Sequence, residues 1–300
     1  MRLDDIGQSD NVEDRRGSGS GGGMVRGGGL GIGGMILAGA VAWFLGIDPR
    51  IVMGGAELIS RGSGSLTQGS SSGQRGPVRD ELGQFSSKVL EANEQVWKRI
   101  LPAQAGQLIR GGEGTRYSEP GMVLYQGGTR SGCGSAQATM GPFYCPVDKR
   151  VYLDTTFFQE MATKMRAGGD FAYAYVIAHE VGHHIQNQLG ILPQVQQRQQ
   201  QVSKREANAL SVRVELMADC LAGVWGHHAR DLIKLDEGDI REAMTAAQAI
   251  GDDKLQKQAQ GYVVPDSFTH GTSEQRTRWF MQGFRSGQIG QCNTFAANAG

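Results

Sequence analysis

The chain has 300 residues, enough for one large domain or two small ones, and 39% of them are hydrophobic, which is compatible with a packed core. Lys and Arg together number 30, as do Asp and Glu, so the formal net charge is zero. With no basic excess to neutralise phosphates, the composition gives no reason to expect a nucleic-acid partner.

Residues 1–26 read MRLDDIGQSDNVEDRRGSGSGGGMVR, polar and rich in Gly and Ser. They carry few apolar groups, which predicts a disordered N-terminal segment. Residues 27–47, GGGLGIGGMILAGAVAWFLGI, contain no charge. A helix of that length spans the ~30 Å hydrocarbon layer, and Gly is commoner in transmembrane helices than in soluble ones. A single transmembrane helix is expected here, with Trp43 near its far end at the interface. A secretory signal peptide would start closer to Met1 and have a shorter apolar core. Arg15, Arg16 and Arg26 precede the segment, and Arg50 and Arg61 follow it. That small bias favours a cytoplasmic N-terminus. Residues 48–77 contain RGSGSLTQGSSSGQRG and read as a flexible linker. The folded domain is expected over 78–300.

In that domain, 77–101 is expected to be helical, with Leu82, Phe85, Val89, Trp97 and Ile100 as its recurring apolar positions. Strands are expected at 122–126, 141–145 and 150–154. The last two are joined by PVDK and read as a β-hairpin. Helices are expected over 156–167, 170–189, 195–230, 238–250 and 272–285. Thr272 and Gln275 fit a capping box at the start of the last one. The fold class is α+β, mostly helical with a small sheet. Cys133, Cys145, Cys220 and Cys292 are the four cysteines. An even number permits two disulfides in a body outside the cytosol. Cys133 and Cys145 flank a short loop, and Cys220 with Cys292 would then tie the C-terminal tail to a core helix. No CxxC pair is present, which argues against a four-cysteine zinc ribbon.

The helix over 170–189 carries His179, Glu180 and His183, an H-E-x-x-H pattern. His183 lies only ~40° around the helix from His179, one turn further on, so both imidazoles can reach one ion. Glu180 lies ~100° from His179 and ~60° from His183, placed to hold a water beside the ion. His184 lies a further ~100° round from His183 and is a poor third ligand on this helix. Ala174, Ala178, Val181, Ile185 and Leu189 form the opposite, core-facing side. Gly182 lies between the two and would let another element approach closely.

A catalytic zinc takes three protein ligands and keeps an open position. The elongated pattern H-E-x-x-H-x-x-G-x-x-H would need Gly at 186 and His at 189, where this chain has Gln186 and Leu189. A carboxylate on a later helix is the other source. In SVRVELMADCLAGVWGHH, Leu210, Val214, Met217, Leu221 and Val224 make a core stripe. Glu215 and Asp219 share another face at i, i+4, among the small residues Ser211, Ala218 and Ala222. Glu215 can then bind zinc, and Asp219 can fix the tautomer of a ligand histidine.

GPFYCPVDKRVYLDTTFF, DFAYAYVIAHEVGHHIQNQLG, LSVRVELMADCLAGVW and HGTSEQRTRWFMQGFRSG, in that order, resemble the bacterial neutral zinc metallopeptidase family of the YpfJ type. The likeness covers nearly the whole chain, including the span after a Gly-rich leader. It implies a zincin-like, gluzincin-type site with Zn2+ as cofactor, His179 and His183 as ligands and Glu180 as catalytic residue. The family's E-x-x-x-D segment falls on Glu215 and Asp219. Related gluzincins place a His to donate to the oxyanion, and His270 is the candidate here. His227 and His228 read instead as helix C-terminal residues facing the dipole. The reaction expected is peptide-bond hydrolysis by a zinc-activated water with Glu180 as general base, on a peptide or protein substrate. The chain is expected in the bacterial inner membrane, held by its N-terminal helix as a single-pass protein with an extracytoplasmic catalytic domain. The pattern sets no oligomeric state. The competing reading is a non-catalytic, metal-stabilised binding or scaffold protein of the cell envelope, which would have no need of Glu180.

Overall fold

The computed structural model describes residues 1–17, 73–137 and 140–296. In chain order the elements are strand β1 (Val12–Asp14), strand β2 (Gln74–Arg75), helix α1 (Glu81–Gln104), strands β3 (Gly121–Tyr125), β4 (Gly128–Ser131), β5 (Gly134–Gln137), β6 (Phe143–Cys145) and β7 (Arg150–Asp154), then helices α2 (Thr156–Thr163), α3 (Asp170–Gln188), α4 (Ile191–Gln199), α5 (Lys204–Ala229), α6 (Glu237–Ala249), α7 (Asp252–Gln260) and α8 (Ser273–Ser286). This is the expected α+β arrangement, mostly helical with a small sheet.

Five strands form one sheet in the order β2–β1–β3–β7–β6. The central three run parallel, and β2 and β6 lie antiparallel at the two edges. Side chains alternate across a strand, so the faces separate cleanly. Met122, Leu124, Val151 and Leu153 join the main core under the helices. Val123, Tyr125, Cys145 and Tyr152 form a second cluster with Ala136 of β5 on the far face. The β4–β5 ribbon covers that face, and the Cys133–Cys145 disulfide ties it to β6. The Cys220–Cys292 disulfide ties the C-terminal segment to α5.

Helix α3 is central, and His179, Glu180 and His184 are buried along with its apolar residues. The close contacts around it are made by small residues. At Gly182, an added Cβ would lie 3.0 Å from the Ala218 carbonyl oxygen of α5. Across α5 and α8 the backbones touch. A Cβ at Gly283 would overlap the Cys220 carbonyl oxygen, and one at Gly223 would overlap that of Phe280. His184 Nδ1 takes a hydrogen bond of 2.9 Å from the Tyr144 hydroxyl and its Nε2 sits 2.5 Å from the Ser118 carbonyl. It is a tie between α3 and β6, and burial lowers it to about 4.

Three expectations need correction. The first residues are not a disordered segment: residues 1–17 belong to the folded body. Ile6 and Val12 are buried in the core, and β1 lies inside the sheet. The Ser9 hydroxyl and the Asn11 amide both donate to buried Glu94 at 2.9 Å. Glu13 pairs with Arg15 and Arg150, and the N-terminal amine pairs with Asp239. Composition averaged over 26 residues hid the few side chains that dock. The body also begins earlier than residue 78, because β2 pairs with β1. The expected helix over 195–230 is two helices. Ser203 accepts from the Glu206 amide while Glu206 reaches back to the Ser203 amide, a capping box that starts α5 afresh. Residues 18–26 of the expected disordered segment, the expected transmembrane helix over 27–47 and most of the linker lie outside the described residues. Among the described residues no helix is long and apolar enough to cross a membrane.

Burial pushes the Glu94 carboxyl up to about 7, against the hydrogen bonds from Asn11 and Ser9. A raised pKa contributes stability below the unfolded value of 4.5 that is lost as pH rises through about 7. In urea melts, Glu94→Gln is expected to gain on the wild type by roughly 2–3 kcal/mol between pH 4.5 and 7.5; parallel curves would contradict the assignment. Gly283→Ala should lose about 1–3 kcal/mol or more in the same melts, because helix backbones have no room to yield.

Candidate active site

The site forms where α3 crosses α5. The Gly182–Ala218 contact brings the helix axes close enough for a Glu on one to reach the imidazoles of the other. Glu215 Oε2 lies 3.1 Å from His179 Nε2, and its Oε1 lies 3.4 Å from His183 Nε2. One ligand atom from each of His179, His183 and Glu215 falls within 4.8 Å of the others. Two imidazoles and a carboxylate suit Zn2+, which takes nitrogen and oxygen donors with a fourth position left open.

Both histidines are held from behind. Asp219 Oδ1 lies 2.8 Å from His179 Nδ1. Gln186 Oε1 lies 2.8 Å from His183 Nδ1, and the Gln186 amide donates to the Val214 carbonyl at 2.7 Å. Each outer nitrogen is thus engaged, which leaves Nε2 of both rings toward Glu215. Asp219 is itself fully buried and saturated. It accepts from the Tyr175 hydroxyl at 2.5 Å and from two nitrogens of Arg276 at 2.8 and 2.9 Å.

The electrostatics follow from burial and from these partners. Burial opposes charge on Asp219, but the Arg276 guanidinium and His179 outweigh it and hold the carboxyl below its usual value. Burial likewise opposes charge on Glu215, and His183 and His179 outweigh it. His179 is disfavoured as a cation by burial, yet Asp219 and Glu215 push it up to about 10. Glu180 has no such partner. Burial raises its carboxyl, and the two histidines only partly offset that.

A cleft of about 390 Å³ opens over these groups. Glu180 and His270 line it with the three ligand candidates. Phe157, Met165, Val176, Leu192 and Leu255 give it an apolar wall. His270 sits on the loop before α8, and buried Asp252 fixes it there. Asp252 Oδ2 accepts from the amides of Thr269, His270 and Gly271 at 2.7, 2.6 and 3.2 Å, while Oδ1 lies 3.0 Å from His270 Nδ1. Gly271 has a φ of 89°, a conformation that favours glycine.

The model of the family described as "Putative neutral zinc metallopeptidase" matches residues 1–295. The chain belongs to that family. The uncharacterized protein YpfJ of Escherichia coli (strain K12) is 48% identical over 301 residues, covering 98% of this chain and 99% of that protein. An uncharacterized protein of Mycobacterium tuberculosis (strain ATCC 25618 / H37Rv) is 42% identical over 215 residues, covering 68% of this chain and 67% of its own length. No solved structure matches the chain. Membership of this family implies Zn2+ and a peptide or protein substrate, and the His179–His183–Glu215 cluster is the place in this chain suited to the ion.

The structure brings together His179, Glu180, His183, Glu215, Asp219 and His270, from three separate segments. His227 and His228 lie elsewhere, on the carbonyls of Phe284 and Gly287. Tyr175, Gln186, Asp252 and Arg276 complete the site beyond the residues expected from the sequence. Gln186 offered a signal, since it follows His183 by three residues and so shares its helix face. Asp252 offered none.

Removing a support should weaken the ion's hold while leaving its ligands in place. Asp219→Asn and Gln186→Ala are each expected to lower zinc affinity about 10–100-fold in competition with a chromogenic chelator. Glu215→Ala should reduce it further. Unchanged affinity in Asp219→Asn would contradict the supporting role.

Proposed function

We propose that the chain is a zinc endopeptidase that hydrolyses peptide bonds with Glu180 as general base. The observation that carries this is the placement of buried Glu180 beside the His179–His183–Glu215 cluster and inside the cleft. The ion, when bound, supplies a Lewis acid that acidifies water and polarises the scissile carbonyl. Glu180 is placed to take a proton and pass it to the leaving amine. Its buried carboxyl binds a proton more readily than an exposed one, which suits a group that must hold it between two steps. His270, anchored by Asp252, is placed to donate to the oxyanion that forms at the carbonyl.

Strand β6 supports an extended substrate. It is the last strand on its side of the sheet, and Phe143 and Tyr144 line the cleft. A peptide laid along its outer edge would gain main-chain hydrogen bonds, with alternate side chains directed to pockets. The apolar wall then favours a bulky hydrophobic side chain next to the cleaved bond.

The same proposal places the body outside the cytosol and anchors it to the membrane through residues 27–47. Two disulfides joining all four cysteines support an oxidising compartment. The uncharged run of 21 residues supports the anchor.

The test compares the full chain with two variants on an unfolded protein substrate. Glu180→Gln should keep one zinc per chain and lose cleavage by about 10²–10⁴-fold. His270→Ala should lower kcat about 10²–10³-fold with a smaller change in KM. Cleavage unaffected by Glu180→Gln would overturn the proposal.

A further inference from the structure

Among the described residues, four large hydrophobic side chains are well exposed: Val147 at 73%, Tyr262 at 63%, Val263 at 42% and Val264 at 40%. Single exposed apolar residues are ordinary on a protein surface, but contiguous ones rimmed by polar groups mark a contact site. Three of these four are consecutive.

Neither place is a loose loop. After α7, the buried Gln256 side chain accepts from the Val264 amide at 2.8 Å and donates to the Ser267 hydroxyl at 2.9 Å. Gln260 donates to the Tyr262 carbonyl at 3.2 Å, and Asn208 of α5 donates to the Asp266 carbonyl at 3.0 Å. The backbone is satisfied while the apolar side chains are left in water. The turn between β6 and β7 repeats the pattern. Asp148 accepts from the Tyr152 hydroxyl at 2.6 Å and from the Gly132 amide at 2.7 Å, and Asn187 of α3 donates to the Pro146 carbonyl at 3.4 Å. Val147 stands between these two anchored neighbours. A surface already ordered loses little freedom when it binds.

Both places border the candidate active site. Pro146, next to Val147, lines the cleft, and so does Leu255, next to Gln256. The Gln256 bond sets Val264 on the order of 10 Å from Leu255, about three residues of extended chain. The same loop runs on to His270 and its Asp252 anchor. Val147 lies just past the end of β6, so a peptide extended along that edge meets it within about 7 Å. The cleft itself, about 390 Å³, has the size of a small-molecule site, so a longer chain must leave it over a rim.

We propose that the cleft and these two apolar places form one extended site whose substrates are unfolded, hydrophobic stretches of protein longer than the cleft holds. This rests on the peptidase reading above and names its substrate class. The bond to be cut lies at the ion, and affinity is drawn from apolar side chains several residues away. A folded protein does not qualify, because its apolar residues are mostly buried and strand addition at β6 needs an extended backbone. Tyr262, Val263, Val264 and Val147 carry no charge, so recognition is by apolar area.

The test measures binding apart from cleavage, in the full-length zinc-loaded Glu180→Gln chain. Three fluorescein-labelled peptides are compared by anisotropy. The first is an unstructured peptide of about 16 residues with Leu, Val or Tyr at alternate positions. The second has Ser at those positions, and the third is the central part of the first, about six residues long. The long apolar peptide is expected to bind about 10–100-fold more tightly than either of the others. Tyr262→Ser/Val263→Ser/Val264→Ser should remove most of that gain, Val147→Ser a smaller part, and Val263→Leu/Val264→Leu should keep it. Equal affinity for the three peptides, or a triple-serine chain that keeps both its zinc and the full gain, overturns the extended site. A triple-serine chain with unchanged peptide affinity but altered self-association or flotation with lipid vesicles assigns the run to a second copy or a lipid surface, and also overturns it. Failure of the peptidase reading is seen separately, as absence of cleavage of the long peptide by the wild-type chain.

Discussion

Asp219 is the group on which the rest of the site depends. It is a carboxylate with no exposure, and a buried charge is tolerated only when its partners are close and complete. Its partners come from two other helices: Tyr175 and His179 from α3, and Arg276 from α8. One side chain therefore fixes the rotation of α3, the register of α5 and the docking of α8. The same contacts set the tautomer of His179, so that the packing of the core and the aim of a candidate metal ligand are one problem with one solution. Gln186 does the equivalent at lower charge for His183, reaching from α3 to the α5 backbone.

That arrangement needs helices at unusually short range. Gly182 against Ala218, and Gly223 and Gly283 in the crossing of α5 with α8, supply it. Glycine lowers helix propensity, so these positions weaken each helix taken alone. The interior gains backbone-to-backbone contact in return, and Glu215 and Arg276 gain the reach they need. Sheet and helices meet at the same place through His184, whose neutral ring links Ser118, Tyr144 and α3. Edge strand β6 is in this way positioned over the cleft by the residue next to a candidate ligand.

The heart of the site was legible in the sequence because it is built on helical periodicity. The i, i+4 spacings of His179 with His183 and of Glu215 with Asp219 define faces whatever the helices pack against. Gly182 could be read as an approach point for the same reason. Arg276 could not, since its role depends on which helix α8 meets. Asp252 opens a short polar helix with no apolar period to reveal it, and its value lies in a loop 17 to 19 residues away. The docking of the N-terminal arm is hidden in the sequence for a related cause. Strand β1 has only three residues, Val12–Asp14, two of them acidic, and local propensity opposes it. Its place is set by Met122, Arg150 and Glu94, all distant in sequence.

The central claim is that His179, His183 and Glu215 hold one zinc ion with a position left open for water. X-ray absorption at the zinc edge of the full chain as purified tests it most directly. The account predicts a low-coordinate shell of nitrogen and oxygen at about 2.0–2.2 Å, with two imidazoles, that changes in Glu215→Gln. A sulfur shell near 2.3 Å, or a spectrum indifferent to Glu215→Gln, would contradict it.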